Sequence, residues 1–191
     1  MHKRVILTGS LFLTLALALP AKATSFTYIA ILSGATEVPP TASPAAGTAI
    51  ITLNGDLLSV SESFTGLVAP ASAAHIHCCT PAGTNAGVAI PFTGFPNATS
   101  GTYTNTFDLT LTSTYLGAFL TAEGGTAAGA EAAILSGLNG GLTYANIHDA
   151  TFPGGEIRGL ITLQTPEPGG LLLLGTGMIG ILQAVRRRVR A

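Results

Sequence analysis

Short runs of β-branched and aromatic residues, separated by frequent turn residues, fill the middle of this chain. In the run Leu57–Phe64, the residues Leu58, Val60, Glu62 and Phe64 alternate with Leu57 and three serines. In a β-strand, successive side chains point to opposite faces, so a pattern that repeats every two residues marks one face as different from the other. The run therefore predicts a strand with one largely apolar face.

Six other runs have a similar composition and length. They are Ser25–Leu32, Gly47–Leu53, Ala73–His77, Thr102–Leu111, Leu142–His148 and Glu156–Leu163. Between two of them stands Asn54-Gly55-Asp56, and Asn-Gly is among the strongest short hairpin signals. Many short strands between turn signals predict an all-β domain, a mainly antiparallel sandwich or barrel.

One segment departs from the β pattern. Thr126–Leu138 is rich in alanine and fits a helix of about three turns that ends before Gly140-Gly141. Tyr115–Ala122 is a second, weaker helical candidate. We therefore expect one short helical crossover in the β domain.

The N-terminus has the pattern of a secretory signal peptide. Lys3 and Arg4 precede an apolar run from Leu11 to Leu19, and Ala21-Lys22-Ala23 forms a small-x-small cleavage site. This apolar run is too short and wrongly flanked for a stable membrane span. We expect residues 1–23 to form an apolar helix that is removed on export.

The C-terminus carries a second apolar stretch. Pro166-Glu167-Pro168 precedes a largely apolar stretch of 17 residues from Gly169 to Val185, and Arg186, Arg187 and Arg188 follow. A helix of this length just crosses a hydrocarbon core, with the arginines on the cytoplasmic side. Taken alone, the pattern indicates a C-terminal membrane anchor.

The same segment closely resembles the PEP-CTERM sorting signal of Gram-negative bacteria. The resemblance implies that an exosortase cleaves near Pro166–Pro168, after transient anchoring in the membrane. The protein would then be released to the cell surface or the extracellular matrix. Residues 165–191 would be a sorting signal that is removed, and not part of the mature fold.

Removal of both ends would leave a domain of residues 24–164 with an unusual charge balance. Arg158 is its single Lys or Arg, against eight Asp and Glu, a net charge of −7. Nucleic-acid-binding domains carry clustered positive charge, so this class is excluded. About 140 residues suffice for one sizeable core.

Four short motifs occur in order along this domain. They are Leu32-Ser33-Gly34-Ala35-Thr36-Glu37-Val38-Pro39-Pro40, His75-Ile76-His77, Tyr144-Ala145-Asn146-Ile147-His148 and Pro153-Gly154-Gly155-Glu156-Ile157-Arg158-Gly159. Together they resemble the CHRD domain, named for chordin and common in secreted bacterial proteins. The resemblance implies an extracellular, mainly β domain without enzymatic activity, in a binding or structural role. The family commonly has Gly-Pro after His-Ile-His, where this chain has Cys78-Cys79.

Three histidines are candidate metal ligands. His75 and His77 share one strand face, as do Tyr144, Asn146 and His148 on a second strand. Three imidazoles suit zinc or copper. Domain residues contain no other histidine, which excludes a four-histidine copper site of the superoxide dismutase kind.

The alternative is a hydrogen-bonded polar cluster without any cofactor. A hairpin between the last two strands would bring Glu156 near His148, and Arg158 shares a face with Glu156. In that interpretation the neutral imidazoles, Asn146, Glu156 and Arg158 satisfy one another. An arginine next to a metal would also oppose the cation.

Cys78 and Cys79 are the only cysteines. Export places them in an oxidising compartment, which favours a vicinal disulfide. A free dithiol beside the histidines and bridges to another chain are the alternatives. A long-range disulfide is excluded because no partner cysteine exists.

Two functional hypotheses result. The first is a non-enzymatic surface or matrix protein that binds an extracellular biopolymer. The second is a metal-binding or redox protein that uses His75, His77, His148 and the two cysteines. A hydrolase has no supporting constellation, because no serine stands in a nucleophile-elbow context.

Overall fold

The computed structural model describes residues 25–164, which form one antiparallel sheet of nine strands and two helices. The strands are β1 (Ser25–Ser33), β2 (Ala46–Asn54), β3 (Leu57–Thr65), β4 (Ala71–Cys78), β5 (Gly87–Pro91), β6 (Gly101–Asp108), β7 (Thr143–Asp149), β8 (Ile157–Leu160) and β9 (Thr162–Leu163). The helices are α1 (Gly117–Ala122) and α2 (Ala127–Gly140). The strand order is β5-β4-β7-β8-β1-β2-β3-β6, and β9 also pairs with β1.

The sheet curls as a half-barrel around a hydrophobic core. On β3 the predicted alternation is present: Leu58, Val60, Glu62 and Phe64 are buried, while the residues between them are exposed or half-buried. The inner faces of the other strands supply aliphatic residues, and α2 covers part of the core with Ala130, Ile134 and Leu138. The fully buried aliphatic residues of the core include Leu32, Ile51, Ile76, Ile90, Ile147, Ile157 and Ile161.

The predicted all-β fold class is confirmed. The hairpin between β2 and β3 turns at Gly55, whose φ is +58°. The helical crossover leads from β6 at one edge of the sheet to β7, which lies near the other edge. It contains both helical segments: α1 and α2.

Helix α2 begins and ends as its sequence indicates. The Thr126 side chain accepts a hydrogen bond from the Gly129 N–H, an N-cap that satisfies one free backbone donor. Gly141 follows the helix in the left-handed conformation, with φ +64°. The helix extends two residues beyond Leu138, where the prediction ended it.

Strand β5 was not predicted. It has five residues, ends at Pro91 and forms one edge of the sheet, where a missing N–H is tolerated. Its pairing with β4 shifts register between Ile76 and His77. Its short apolar sequence shows no alternation, and within the sheet it pairs only with β4.

The two described ends of the chain lie side by side. Leu163 of β9 pairs with Tyr28 of β1, and the Gln164 N–H donates to the Thr27 carbonyl oxygen at 2.8 Å. The two predicted terminal apolar helices lie outside the described residues. Within residues 25–164, no helix has both the length and the apolar character needed to cross a membrane.

Candidate metal centre

The three candidate histidines lie together on one face of the sheet. Strands β4 and β7 are neighbours, and their register pairs His75 with Asn146 and His77 with Tyr144. His148 lies one step further along the same face of β7. The alternate residues of β4, including Ile76, point into the core. The histidines therefore occupy the outward face, where loops cover them.

The imidazoles are close enough to share one ion. Ring centroids are 5.5 Å apart for His75 and His77, 5.0 Å for His75 and His148, and 6.0 Å for His77 and His148. One nitrogen from each ring lies within 4.8 Å of the others. The sequence prediction that these three side chains converge agrees with this geometry.

Two backbone carbonyls orient two of the rings. Nδ1 of His77 lies 2.9 Å from the Ala86 carbonyl oxygen, and Nδ1 of His148 lies 3.1 Å from that of Pro153. Because a carbonyl oxygen only accepts, each Nδ1 carries the proton and each Nε2 has a free lone pair. The Nε2 atoms of both rings and Nδ1 of His75 are buried without a hydrogen-bond partner among the described residues.

The same surroundings keep the imidazoles of His75 and His77 neutral. Burial lowers the pKa of His75 to about 4, and the nearby His148 and His77 act in the same direction. Burial also lowers the pKa of His77 to about 4, although its hydrogen bond to Ala86 opposes the shift. At neutral pH both rings therefore present a lone pair, the form that binds metal.

Tyr144 supports His77 from the next strand. Their rings stack with centroids 4.6 Å apart and planes 5° from parallel. The Tyr144 hydroxyl accepts from the Ala86 N–H at 3.1 Å, while the Ala86 carbonyl holds His77. The guanidinium carbon of Arg158 lies 4.3 Å from the centre of the Tyr144 ring, a cation–π contact.

Arg158 forms the one ion pair within residues 25–164, and its partner is Glu37. Nε of Arg158 donates to Glu37 Oε2 at 2.7 Å, and Asn146 Nδ2 donates to Glu37 Oε1 at 3.1 Å. Burial raises the pKa of Glu37, partly offset by Arg158. Asn146 and Arg158 thus belong to one buried network beside the histidines.

The prediction that Glu156 joins this network is wrong. Glu156 is fully buried elsewhere, where its Oε1 accepts from the Ser43 hydroxyl and from the Val68 N–H. The carboxyl of Asp149 lies beside it, and burial raises the pKa of Glu156. Glu156 precedes β8, which begins at Ile157, so the alternation that orients Arg158 does not extend to it.

Glu37 takes the role that was assigned to Glu156. In the sequence, Glu37 stands out only as a member of the first of the four motifs, residues 32–40. The sequence did contain a signal for this pairing, because Arg158 is the single cation of the domain and a buried arginine requires a buried carboxylate. Glu37 belongs to one of the four motifs, whereas most other acids of the domain do not.

Cys78 and Cys79 are joined by a disulfide on the other side of β4 from the histidines. Cys78 is part of the core, and both sulfurs lie near the Ala133 carbonyl of α2, at 3.8 and 3.5 Å. A free dithiol next to the imidazoles, one of the alternatives, is therefore not present. The side chains at 78 and 79 face α2.

The fold and site define a curled antiparallel β domain with an outward three-histidine centre and a buried Glu–Arg network. A family model of the CHRD domain matches residues 28–161, and the chain belongs to the CHRD domain family. The PEP-CTERM protein-sorting motif matches residues 164–188. No curated protein and no solved structure matches the chain.

The sorting motif determines where the protein acts. It marks an exported protein of a Gram-negative bacterium that is anchored transiently in the membrane and reaches the cell surface or extracellular space. Processing by an exosortase follows from the same motif. Pro166, Glu167, Pro168 and Arg186, Arg187 and Arg188 lie outside the described residues, as does the predicted signal peptide.

Proposed function

We propose that this exported domain is a non-enzymatic metal-binding protein that holds zinc or copper on His75, His77 and His148. The observation that carries the proposal has two parts: one nitrogen from each of the three imidazoles lies within 4.8 Å of the others, and each ring has a buried nitrogen without a partner among the described residues. Buried polar atoms are normally hydrogen-bonded, so three adjacent exceptions need an explanation. A cation among them supplies one.

The donor set fits these metals. Imidazole nitrogen binds zinc and copper well, and three protein ligands leave a further position for water or another donor. Ligand nitrogens around tetrahedral zinc lie roughly 3.3 Å apart, given zinc–nitrogen distances of about 2.0–2.1 Å. Small rotations of the half-buried His75 and His148 side chains would bring the nitrogens to that separation.

Arg158 opposes a cation less than the sequence suggested, although its charge still helps to lower the pKa of His77. Its charge is paired with Glu37, and the Tyr144 ring lies between the guanidinium and His77. The Ala86 and Pro153 carbonyls fix the tautomers of two ligands, the usual role of groups behind metal-bound histidine. The polar cluster and the metal site are therefore complementary parts of one centre.

Elemental analysis of the exported protein tests this function. After growth with zinc and copper, we expect about one equivalent of one metal in the wild type and in a Ser61→Ala control, which alters an exposed strand position. A His77→Ala variant should lose it. Metal-free wild-type protein from such cultures, with no uptake of either ion in vitro, would refute the proposal.

A second candidate is binding to an uncharged extracellular polymer. Across β1, β2, β3 and β6 the outward positions form uncharged rows such as Thr27, Thr52, Ser59 and Thr106, and Asp108 at the end of β6 is the one charged side chain on this face. Two shallow grooves lie on this face. Thr104→Glu, but not Thr121→Glu on α1, should weaken co-sedimentation with microcrystalline cellulose if this face binds such polymers.

A further inference from the structure

A cavity of about 310 Å³ lies beside the metal centre, on the β8 side of Tyr144. His77, Tyr144 and Leu160 form a row across β4, β7 and β8, so the Tyr144 ring separates the cavity from the histidines. The cavity is lined mainly by two loops and β8, including Val38, Ala82, Thr84, Tyr144, Arg158 and Leu160. Its size is at the lower end of the range for small-molecule sites.

Polar groups in this cavity have unused hydrogen-bonding capacity. Of the five N–H donors of Arg158, one bonds Glu37, one the Thr84 carbonyl at 3.4 Å and one the Asn85 side-chain oxygen at 2.6 Å. Two donors have no partner among the described residues. Thr80 also lines the cavity, and its hydroxyl is buried without a partner in the described part of the chain.

The remaining lining restricts the chemistry of a ligand. Val38, Ala82 and Leu160 offer apolar contact. A cationic ligand would meet the guanidinium of Arg158 and gain nothing from its free donors, while Glu37, the one carboxylate in the lining, is already paired with that guanidinium. An oxygen acceptor on an apolar body would use both features.

We propose that this cavity binds a small organic molecule with a short apolar body and a terminal carbonyl or carboxylate oxygen, which accepts from Arg158. The cavity combines apolar walls with a few convergent polar groups, the common composition of ligand sites. Arg158 is held in place by Glu37, Asn85 and Tyr144, so the site is formed before the ligand arrives. Preformed donors reduce the entropic cost of binding.

The test uses three six-carbon probes that differ only at the polar end: hexanoate, hexanamide and hexylamine. Each is titrated into the protein in the presence of a metal chelator, followed by ¹H–¹⁵N NMR. We expect hexanoate, hexanamide or both to give saturable shifts of the Thr84 and Asn85 amides, and hexylamine to give none. Binding of hexanoate alone would indicate recognition of a carboxylate, and binding of hexanamide would indicate recognition of a carbonyl oxygen.

Variants that fill the cavity provide the control, since removal of Arg158 would leave Glu37 unpaired and could unfold the protein. Ala82→Phe or Leu160→Trp should weaken binding at least tenfold. Val68→Phe, at an exposed apolar position outside the lining, should not. No saturation by about 10 mM probe, equal binding of hexylamine, or binding unaffected by both filling variants would overturn the proposal.

The cavity proposal does not depend on the metal. A His77→Ala variant should bind the oxygen-bearing probe within twofold of the wild type. Wild-type protein that binds an oxygen-bearing probe but no metal, or metal but no probe, would therefore show which of the two proposals has failed.

Discussion

Glu37 and Glu62 are equally hidden from solvent, with exposed fractions of 3% and 1%, but their surroundings are opposite. Glu37 lies on the outward side, under loops, and accepts from Arg158 and Asn146. Glu62 lies in the core, and both of its carboxyl oxygens lack a partner within the part of the chain described. One carboxylate is held by charge, and the other is kept neutral.

The neighbours of Glu62 explain its state. The sheet register places it between Ala49 and Tyr103, in an otherwise apolar interior. Burial raises the pKa of Glu62 to about 8. Ionisation inside the core is unfavourable because no charge or donor compensates it. The comparison shows that equal burial of a carboxyl group says little about its energetic role.

The largest effect should come from Glu37→Ala. It leaves Arg158 buried without its partner, so we expect the free energy of unfolding to fall by about 3–5 kcal/mol. Urea denaturation measures this loss. Glu123→Ala, which removes a partly exposed acid without an ion pair among the described residues, should change it by less than about 0.5 kcal/mol. A loss below about 1 kcal/mol for Glu37→Ala would mean that the pair is not a stabilising unit.

Glu62→Leu should change the pH dependence of stability. The folded pKa of Glu62 is raised, so the folded state binds the proton more tightly and stability falls as pH rises from about 4.5 to about 8. One proton corresponds to about 1.4 kcal/mol per pH unit. Between pH 5 and 7, the free-energy gap between variant and wild type should widen by roughly 3 kcal/mol.

Denaturation series at pH 5, 6 and 7 measure that gap. Because wild type and variant share every other titrating group, such as Glu37 and Glu156, their difference isolates Glu62. Parallel stability curves over this range would show that Glu62 finds a partner in solution.

Gly137→Ala should destabilise the core side of β4 without altering the outward side. A Cβ at position 137 would lie 2.6 Å from Cys78 Sγ and 2.9 Å from the Thr143 methyl group. We expect a loss of about 2 kcal/mol from overpacking, with unchanged metal affinity. Gly117→Ala, where the added atom meets nothing within 4 Å, is the matched control. A neutral Gly137→Ala would indicate that α2 shifts freely.

Tyr144→Phe should produce the smallest change, confined to the metal centre. It keeps the ring stacked on His77 but removes the hydroxyl that accepts from the Ala86 N–H. Metal affinity should fall about tenfold, as for other groups behind metal ligands. Competition with a chromophoric chelator measures it. Tyr103→Phe, far from the histidines, should leave the affinity unchanged, and equal values for all three proteins would exclude this role of the hydroxyl.

Much of the fold could be predicted from the sequence because local rules determine it. The alternation of apolar and polar residues shows which face of β3 is buried, and Asn54-Gly55 indicates its hairpin with β2. Thr126 and Gly141 mark the two ends of α2. Strand β5 could not be predicted, because its run is short and shows no alternation, and its position depends on pairing with β4.

In the candidate site too, features set by local strand geometry could be predicted, and features set by the order of strands in the sheet could not. His75 and His77 share a face by strand geometry alone, so their proximity was predictable. Glu37 and Arg158 are 121 residues apart in the sequence, and only the sheet order brings them together. Glu156 was misplaced because a two-residue rule was applied beyond the start of a strand.

The adjacent ends of β1 and β9 determine how the domain is tethered before its tail is removed. The register of the sheet places His75 level with Ser33 of β1. Gln164, the last described residue, is hydrogen-bonded to Thr27, six residues away from Ser33 along β1. At about 3.3 Å per residue this is roughly 20 Å. The three imidazoles and the residue that precedes the sorting motif are therefore well separated along the strand direction.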